Sequence, residues 1–167
     1  SERRAHRISM LMATANAARI QSVFQAIQPE LAGRIIEMGA PGSLLQVKER
    51  LERGELVGIL ADRSWGSERT IEVAFLGTPA CFPLSAFRLG AALGVPAVLA
   101  FGLYRGGNRY TLHFERLDEP DDAVAASVDE RAQRLLARYV ARLEHYCRLA
   151  PYNWFNFYPF WDHRDRG

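Results

Sequence analysis

The spacing of apolar side chains along the chain predicts helices that alternate with strands. Three segments carry apolar residues three and four positions apart, which places one buried stripe on a helix: residues 14–28, 43–53 and 127–148. Five segments are continuously apolar or alternate apolar with polar residues, as strands do: residues 34–38, 56–61, 70–76, 95–104 and 109–116. This alternation is typical of the α/β class, so we expect a mixed, mostly parallel sheet flanked by helices.

Glycine, proline and serine residues mark the expected ends of these elements. Ser43 is expected to cap the helix that follows it, and Gly54 to end that helix. Residues 77–79 are expected to turn the chain before a further helix over residues 82–93, whose first turn would accommodate Pro83. The glycine-rich residues 105–108 predict a hairpin between the last two strands.

Composition limits the class of protein. With 167 residues, 49% of them hydrophobic, and a net charge of +2, the chain resembles one ordinary globular domain rather than a disordered or collagen-like chain. Its apolar runs are shorter than the ~20 residues that span a bilayer, and we expect no signal peptide in it. The basic residues are 20 arginines and one lysine. A GC-rich genome or selection for phosphate recognition would explain this bias, and we expect no nucleic-acid partner.

Histidine and cysteine positions indicate no metal or cofactor. Cys81 and Cys147 form no C-x-x-C pair, so we expect two buried thiols. His113 and Asp118 do form an H-x-x-x-x-D pattern, in which a carboxylate orients an imidazole that deprotonates a hydroxyl. Because His113 lies within an alternating strand rather than at a strand-to-helix junction, we interpret this match as a coincidence.

A polar break at Asp62 and Arg63 is the stronger candidate site. It follows residues 56–61, which are almost wholly apolar and are therefore expected to form a strand covered on both faces. Sites in open α/β sheets lie at the carboxyl ends of strands. Arg63 would hold a phosphate or a carrier headgroup there, positioned by Asp62, with a weaker contribution from Arg69. A structural ion pair between Asp62 and Arg63 is the alternative.

The segment 151–161 near the end of the chain carries seven aromatic residues. Rings of this size bury against a core or settle at a bilayer interface. We expect Trp154 and Phe155 to lie in the core. Tyr158, Phe160 and Trp161 are expected to face lipid.

Four segments of the sequence together resemble one known family. They are residues 52–63 (ERGELVGILADR), 75–83 (FLGTPACFP), 101–110 (FGLYRGGNRY) and 150–158 (APYNWFNFY). In this order they are similar to the bacterial lipid A biosynthesis acyltransferases of the lauroyl and myristoyl type. The last two most resemble a branch associated with aryl-polyene and glycolipid pathways.

The resemblance implies a glycerolipid acyltransferase-like α/β fold, of which residues 1–167 would be the C-terminal part, incomplete at the N-terminus. It implies transfer of a fatty acyl group from acyl carrier protein or coenzyme A to a hydroxyl of a lipid or glycolipid, at the cytoplasmic face of the bacterial inner membrane. The family's catalytic H-x-x-x-x-D/E lies upstream of the D-x-x-x-G segment matched by residues 62–66, so we expect no catalytic residue in this chain. Family members more often have Asp-Gln at positions 62 and 63.

A protein of another class would also fit the sequence. It is a non-enzymatic module that binds lipid or acyl carrier protein. An H-x-x-x-x-D/E encoded ahead of Ser1 would favour the enzyme, and its absence would favour the binding module.

Overall fold

The structure, a computed structural model, describes residues 7–13, 22–23, 25–26, 33–64, 68–119, 127–156 and 160–161. Contacts between residues divide the chain into two compact units, Ser1–Leu60 and Ala61–Gly167, and each is described by itself. The helix predicted over residues 14–28 lies mostly outside the described residues. The four residues described there are helical.

The first unit contains a small parallel sheet. Its elements are β1 (Ile8–Ala13), β2 (Ile35–Met38), α1 (Ser43–Glu52) and β3 (Leu56–Ile59). Strand β1 lies in the centre and pairs in parallel with β2 and β3. Helix α1 leads from β2 to β3, the kind of crossover that parallel strands require. Sequence reasoning missed β1, because its methionine-rich segment has neither a clear alternation nor a β-branched run.

One face of α1 packs on this sheet. Val47 of the helix and Ile36 of β2 are each 1% exposed, and α1 contacts both β2 and β3. The prediction that residues 56–61 are covered on both faces is wrong, since Leu56 and Leu60 are about half exposed. The reason is that β3 is an edge strand of its sheet.

Glycine residues, rather than a serine cap, stand at both ends of α1. The residue that caps the helix is Gly42, in a left-handed conformation with φ 80°, and Ser43 is the first helical residue instead of the predicted cap. At the other end Gly54 also has a positive φ, 74°, as expected of a glycine that stops a helix. Arg50 in the last turn pairs with Glu55 at 3.2 Å, which holds the chain entering β3.

The second unit contains two hairpins and two helices. Its elements are β4 (Thr70–Phe75), β5 (Thr78–Pro83), α2 (Ser85–Leu93), β6 (Val98–Tyr104), β7 (Tyr110–Arg116), α3 (Val128–Leu149) and a 3-10 turn (Pro151–Asn153). Strands β4 and β5 pair antiparallel, as do β6 and β7. The α/β class is therefore confirmed. The strands of the described residues form three small sheets, one parallel and two antiparallel, in place of one mostly parallel sheet.

The start of the helix predicted over residues 82–93 is wrong, because Phe82 and Pro83 belong to β5. Leu76 and Gly77 form a two-residue turn with φ 53° and 88°, the backbone twist that joins two hairpin strands. Phe82 is fully buried on β5. Pro83 stands at the end of this strand, where its missing N–H costs no hydrogen bond within the sheet.

Helix α3 forms one wall of the core of this unit, as its apolar stripe predicts. Ser127 caps it by accepting a hydrogen bond from the backbone N–H of Glu130 at 3.1 Å. Phe87 of α2 packs against Tyr139 of α3, with ring centroids 5.3 Å apart. All five apolar residues that define the predicted stripe are buried: Leu135, Leu136, Tyr139, Val140 and Leu143.

Candidate functional site

Asp62 and Arg63 both bind the aromatic segment that follows α3. The indole Nε1–H of Trp154 donates a hydrogen bond to Oδ2 of Asp62 at 3.1 Å. The guanidinium of Arg63 donates from Nη2 to the backbone carbonyl of Phe155 at 3.2 Å. Both side chains are half-buried, and 92 residues separate each from its partner. These two hydrogen bonds therefore connect the first residues of the second unit to the segment that follows α3.

Trp154 lies within an aromatic cluster, which consists of Phe75, Phe82, Trp154, Phe160 and Trp161. The ring of Trp154 meets Phe75 edge to face at 5.2 Å and Phe160 at 5.0 Å between centroids. Phe75 is fully buried, and it also contacts Phe82 at 5.4 Å. Edge-to-face pairs add about 0.5–1.5 kcal/mol each to the free energy of burial. The carboxylate of Asp62 is thus hydrogen-bonded to a ring that the core holds in place.

The structure corrects two predictions for the aromatic segment. Phe155, expected in the core, is 57% exposed, whereas Phe160, expected to face lipid, is only 3% exposed. The prediction for Trp154 is confirmed, since it packs against the core while its N–H reaches Asp62. Trp161 is 38% exposed, and Tyr158 lies outside the described residues. Phe160 packs between Phe82 and Trp154, with ring centroids 5.3 and 5.0 Å away, so Phe160 rather than Phe155 fills this part of the core.

Cys147 lies beside this site, near the end of α3. Burial, and after it the negative charge of Asp62, raise the pKa of its thiol to about 11. The thiol is therefore protonated at neutral pH and is not a nucleophile. A crevice of about 60 Å³ separates Cys147 from Phe101 and Trp154. It has room for a few water molecules and is too small for a fatty acyl chain.

Arg69 lies at the other end of α3. Its Nη1 pairs with Oδ2 of Asp129 at 2.8 Å, and Nε of Arg88 pairs with the second oxygen of the same carboxylate at 2.8 Å. Asp129 is in the first turn of α3, where a negative charge is favoured by the helix dipole. One carboxylate thus holds two arginines, and the guanidinium of Arg69 is fixed against the first turn of α3.

The position of β4 shows how far Arg69 is from the other two candidates. Leu76, just after β4, donates its backbone N–H to Glu144 of α3 at 3.0 Å, so the strand follows the helix from Asp129 to Glu144. That stretch of helix is about 22 Å long. The aromatic cluster packs on the last residue of β4. The structure therefore places Asp62 and Arg63 at the aromatic cluster and Arg69 at the opposite end of β4, beside the first turn of α3.

His113 and Asp118 do not form a catalytic pair. Asp118 is buried after β7, where it accepts hydrogen bonds from the backbone N–H of Ala97 at 2.8 Å and from Nη2 of Arg116 at 2.7 Å. The Arg116 hydrogen bond lowers the pKa of Asp118. The ring of His113 instead contacts the ring of Tyr146 on α3, 5.1 Å away between centroids. Asp118 thus joins the two ends of the β6–β7 hairpin. This agrees with the interpretation that the H-x-x-x-x-D match is a coincidence.

Sequence reasoning missed a polar network between β7 and α3. Glu115 accepts two hydrogen bonds from the guanidinium of Arg142, one of them 2.7 Å long, and a third from the hydroxyl of Tyr146. The Arg142 hydrogen bond, followed by that from Tyr146, lowers the pKa of Glu115 from 4.5 to about 2. Glu115 lies two residues after His113 and therefore on the same inward face of β7. This position in the alternation is the sequence signal that could have identified Glu115. The partners lie 27 and 31 residues away, and no local pattern identifies them.

Within the described residues, no group of three or more His, Cys, Asp or Glu side chains could hold a metal ion. None of the helices described combines the length and hydropathy needed to cross a membrane.

The fold and the site together define an α/β protein in which a polar pair after a strand is bound to an aromatic segment at the end of a long helix. The family model "Bacterial lipid A biosynthesis acyltransferase" matches residues 3–162, almost the whole chain. The chain belongs to this family of acyltransferases, which the four sequence segments indicated. No curated protein matches the chain.

Proposed function

We propose that this chain serves the transfer of a fatty acyl group from acyl carrier protein or coenzyme A to a hydroxyl of a lipid or glycolipid. The observation that carries the proposal is the family match over residues 3–162. In such a transfer the hydroxyl oxygen attacks the thioester carbonyl carbon and a base takes the hydroxyl proton. The carbon–sulfur bond then breaks, the protonated base gives its proton to the sulfur, and the carrier leaves as a thiol. This reaction would take place at the cytoplasmic face of the inner membrane, with the membrane surface as a partner.

Within this proposal, Asp62 and Arg63 belong to the substrate pocket. Arg63 holds a phosphate of the donor or the acceptor, and Asp62 fixes the adjoining Trp154 through the 3.1 Å hydrogen bond. Arg69 contributes less, because its guanidinium is tied to Asp129 at 2.8 Å, at the opposite end of α3 from Trp154. The base that accepts the hydroxyl proton is an H-x-x-x-x-D/E histidine upstream of these residues.

A non-enzymatic module that binds lipid or acyl carrier protein remains the second candidate. The observation in its favour is that the H-x-x-x-x-D of this chain does not form a catalytic pair. The carboxylate of Asp118 binds Ala97 and Arg116 rather than His113. The 167-residue chain alone is therefore expected to form no acylated product from acyl carrier protein or coenzyme A thioesters. Product detected by mass spectrometry, and lost on His113→Ala, would contradict this expectation.

The role of Arg63 is tested in the full-length protein. Arg63→Ala is expected to lower kcat/KM by about 10- to 150-fold, the loss of one charge-assisted hydrogen bond of about 1.5–3 kcal/mol, with little change in Tm. Arg148→Ala is the matched control, since Arg148 is an exposed arginine that pairs with Glu144 on α3. Arg69→Ala is expected to have a smaller effect than Arg63→Ala. A large fall in Tm with unchanged kinetics would assign Arg63 to a purely structural role.

A further inference from the structure

A cavity of about 380 Å³ lies in the first unit, where strands β1 and β2 end and helix α1 begins. The two strands pair in parallel, so their carboxyl ends meet at one edge of the sheet. Ligands of open α/β sheets bind at this edge. Pockets that hold small molecules measure about 300–1,000 Å³, and this cavity is at the lower end of that range.

The wall of this cavity is mostly apolar. Its apolar residues come from β1, from the end of β2 and the connection that follows, and from α1: Leu11, Met38, Ala40 and Leu44. None of the described residues of the wall carries a charge. Leu11 is 5% exposed and belongs to the core of the unit, whereas Leu44 is 63% exposed and stands at the mouth of the cavity. A wall of this kind accommodates an alkyl chain, because the chain leaves water on binding.

Hydrogen-bond donors meet this cavity at the N-terminus of α1. The cap residue Gly42 has no side chain that could accept a hydrogen bond from the first turn, and that turn contains no acidic residue. The backbone N–H of Gln46 donates to the carbonyl of Gly42 at 3.0 Å. The N–H groups of Leu44 and Leu45 make no hydrogen bond within the part of the chain that the structure describes. Free N–H groups and the helix dipole together favour a negative charge at this position.

A buried hydroxyl at the same place also lacks a partner. Ser43, the first residue of α1, is 7% exposed and lines the cavity. Its hydroxyl makes no hydrogen bond to any described residue. Nearly all buried polar groups of folded proteins have a hydrogen-bond partner, which a ligand or water supplies where the protein does not. Ser43 is therefore a second indication, independent of the helix end, that a ligand oxygen binds here.

We propose that this cavity binds a free fatty acid, with the carboxylate at the N-terminus of α1 and the alkyl chain along Leu11, Met38 and Leu44. The hydroxyl of Ser43 and the N–H groups of Leu44 and Leu45 donate to the carboxylate oxygens. Because no described residue of the wall is cationic, the helix end balances one negative charge rather than the two of a phosphate monoester. At roughly 30 Å³ for each non-hydrogen atom, the share of one water molecule in the liquid, the cavity holds about 12 such atoms, as many as decanoate has.

This site goes beyond the proposed function. The acyl group of a thioester donor has no negative charge at its carbonyl end, whereas a free fatty acid is the anion that forms when water hydrolyses such a thioester. Binding of the fatty acid involves no acyl transfer and requires neither Asp62 nor Arg63 nor an upstream histidine. The 167-residue chain therefore tests the site directly.

The test is a titration of the isotope-labelled chain with decanoate below its micelle-forming concentration, followed by the backbone amide signals in nuclear magnetic resonance. We expect a saturable shift of the signals of residues 38–45. Decanol has the same alkyl chain without the charge, and it is expected to bind at least about tenfold more weakly. Acetate, which has the charge without the chain, and inorganic phosphate are expected to cause no saturable shift at the same concentrations.

Two variants locate the ligand within the cavity. Ser43→Ala removes the donor hydroxyl and keeps a good helix former, and it is expected to weaken decanoate binding about 3- to 10-fold. Leu44→Gln removes part of the apolar wall and is expected to weaken binding about fivefold. Leu45→Gln is the matched control, because Leu45 is 60% exposed in the same helical turn but does not line the cavity. It is expected to bind decanoate like the parent chain.

Far-UV circular dichroism checks that each variant is folded. Equal affinities for decanoate and decanol would overturn the proposal, because the negative charge would then contribute nothing. So would unchanged decanoate binding by Ser43→Ala and Leu44→Gln, or an equal loss in Leu45→Gln. Tighter binding of dihexanoyl-phosphatidylglycerol than of decanoate would assign the cavity to a lipid phosphodiester and thereby exclude the fatty acid as its ligand. A full-length protein that binds decanoate but transfers no acyl group would refute only the proposed function.

Discussion

Glu115 offers the sharpest test of how the second unit is held together. Its carboxylate joins β7 to α3 through a two-point hydrogen bond with Arg142 and one from the Tyr146 hydroxyl. Substituting Glu115→Gln keeps the shape of the side chain while removing its charge. The variant therefore weakens the charge-assisted bonds and leaves the guanidinium of Arg142 without its counter-ion.

The pKa of Glu115 sets the size and the pH range of the effect. Its fall from 4.5 to about 2 corresponds to roughly 3 kcal/mol at 1.36 kcal/mol per unit. Because the side chain of Arg142 is 39% exposed, solvent screening reduces this, and we expect a loss of about 1–3 kcal/mol near neutral pH. A lowered folded-state pKa stabilises the protein above the unfolded value. The difference between Glu115→Gln and the parent chain should therefore shrink as the pH falls from 4.5 to about 2.

The assay is urea unfolding of the 167-residue chain followed by far-UV circular dichroism at several pH values. Glu52→Gln is the control, because Glu52 pairs with Lys48 at 3.7 Å and both side chains are about 60% exposed. That variant should change the free energy of unfolding by less than about 0.5 kcal/mol. The reasoning would be refuted if Glu115→Gln were as stable as the parent near neutral pH, or if its deficit did not change across the acid range.

Two further predictions concern the aromatic cluster. Phe160→Ala should lower the free energy of unfolding by about 3–5 kcal/mol, as for a ring deleted from a core, whereas the exposed Phe155 should tolerate alanine at a cost below about 1 kcal/mol; equal costs in urea unfolding would contradict the assigned burial. A double-mutant cycle of Trp154→Phe with Asp62→Ala should give a coupling energy of about 1 kcal/mol from the hydrogen bond between them. Strictly additive losses would mean that this hydrogen bond does not stabilise the protein.

The sequence by itself determined the elements whose patterns are local. The stripe of α3 repeats along the helix, and its serine cap lies three residues from the N–H that it accepts. The β6–β7 hairpin follows from a continuously apolar segment and an alternating segment on the two sides of a glycine-rich turn. Four short segments in order also indicated the family, which the match over residues 3–162 shows. In each case the residues that decide the outcome are neighbours in the chain, so their spacing carries the information.

Only the tertiary structure decided which distant elements meet. Pro83 suits a first helical turn and equally the end of a strand, and the pairing of β5 with β4 chose the strand. The aromatic segment after α3 has no helical or strand period, so the sequence could not tell that Phe160 is buried while Phe155 is exposed. Asp62 finds Trp154 across 92 residues of chain, and Arg69 finds Asp129 across 60. Such contacts depend on the packing of whole strands against α3, because a side chain's own sequence neighbourhood does not specify its partner.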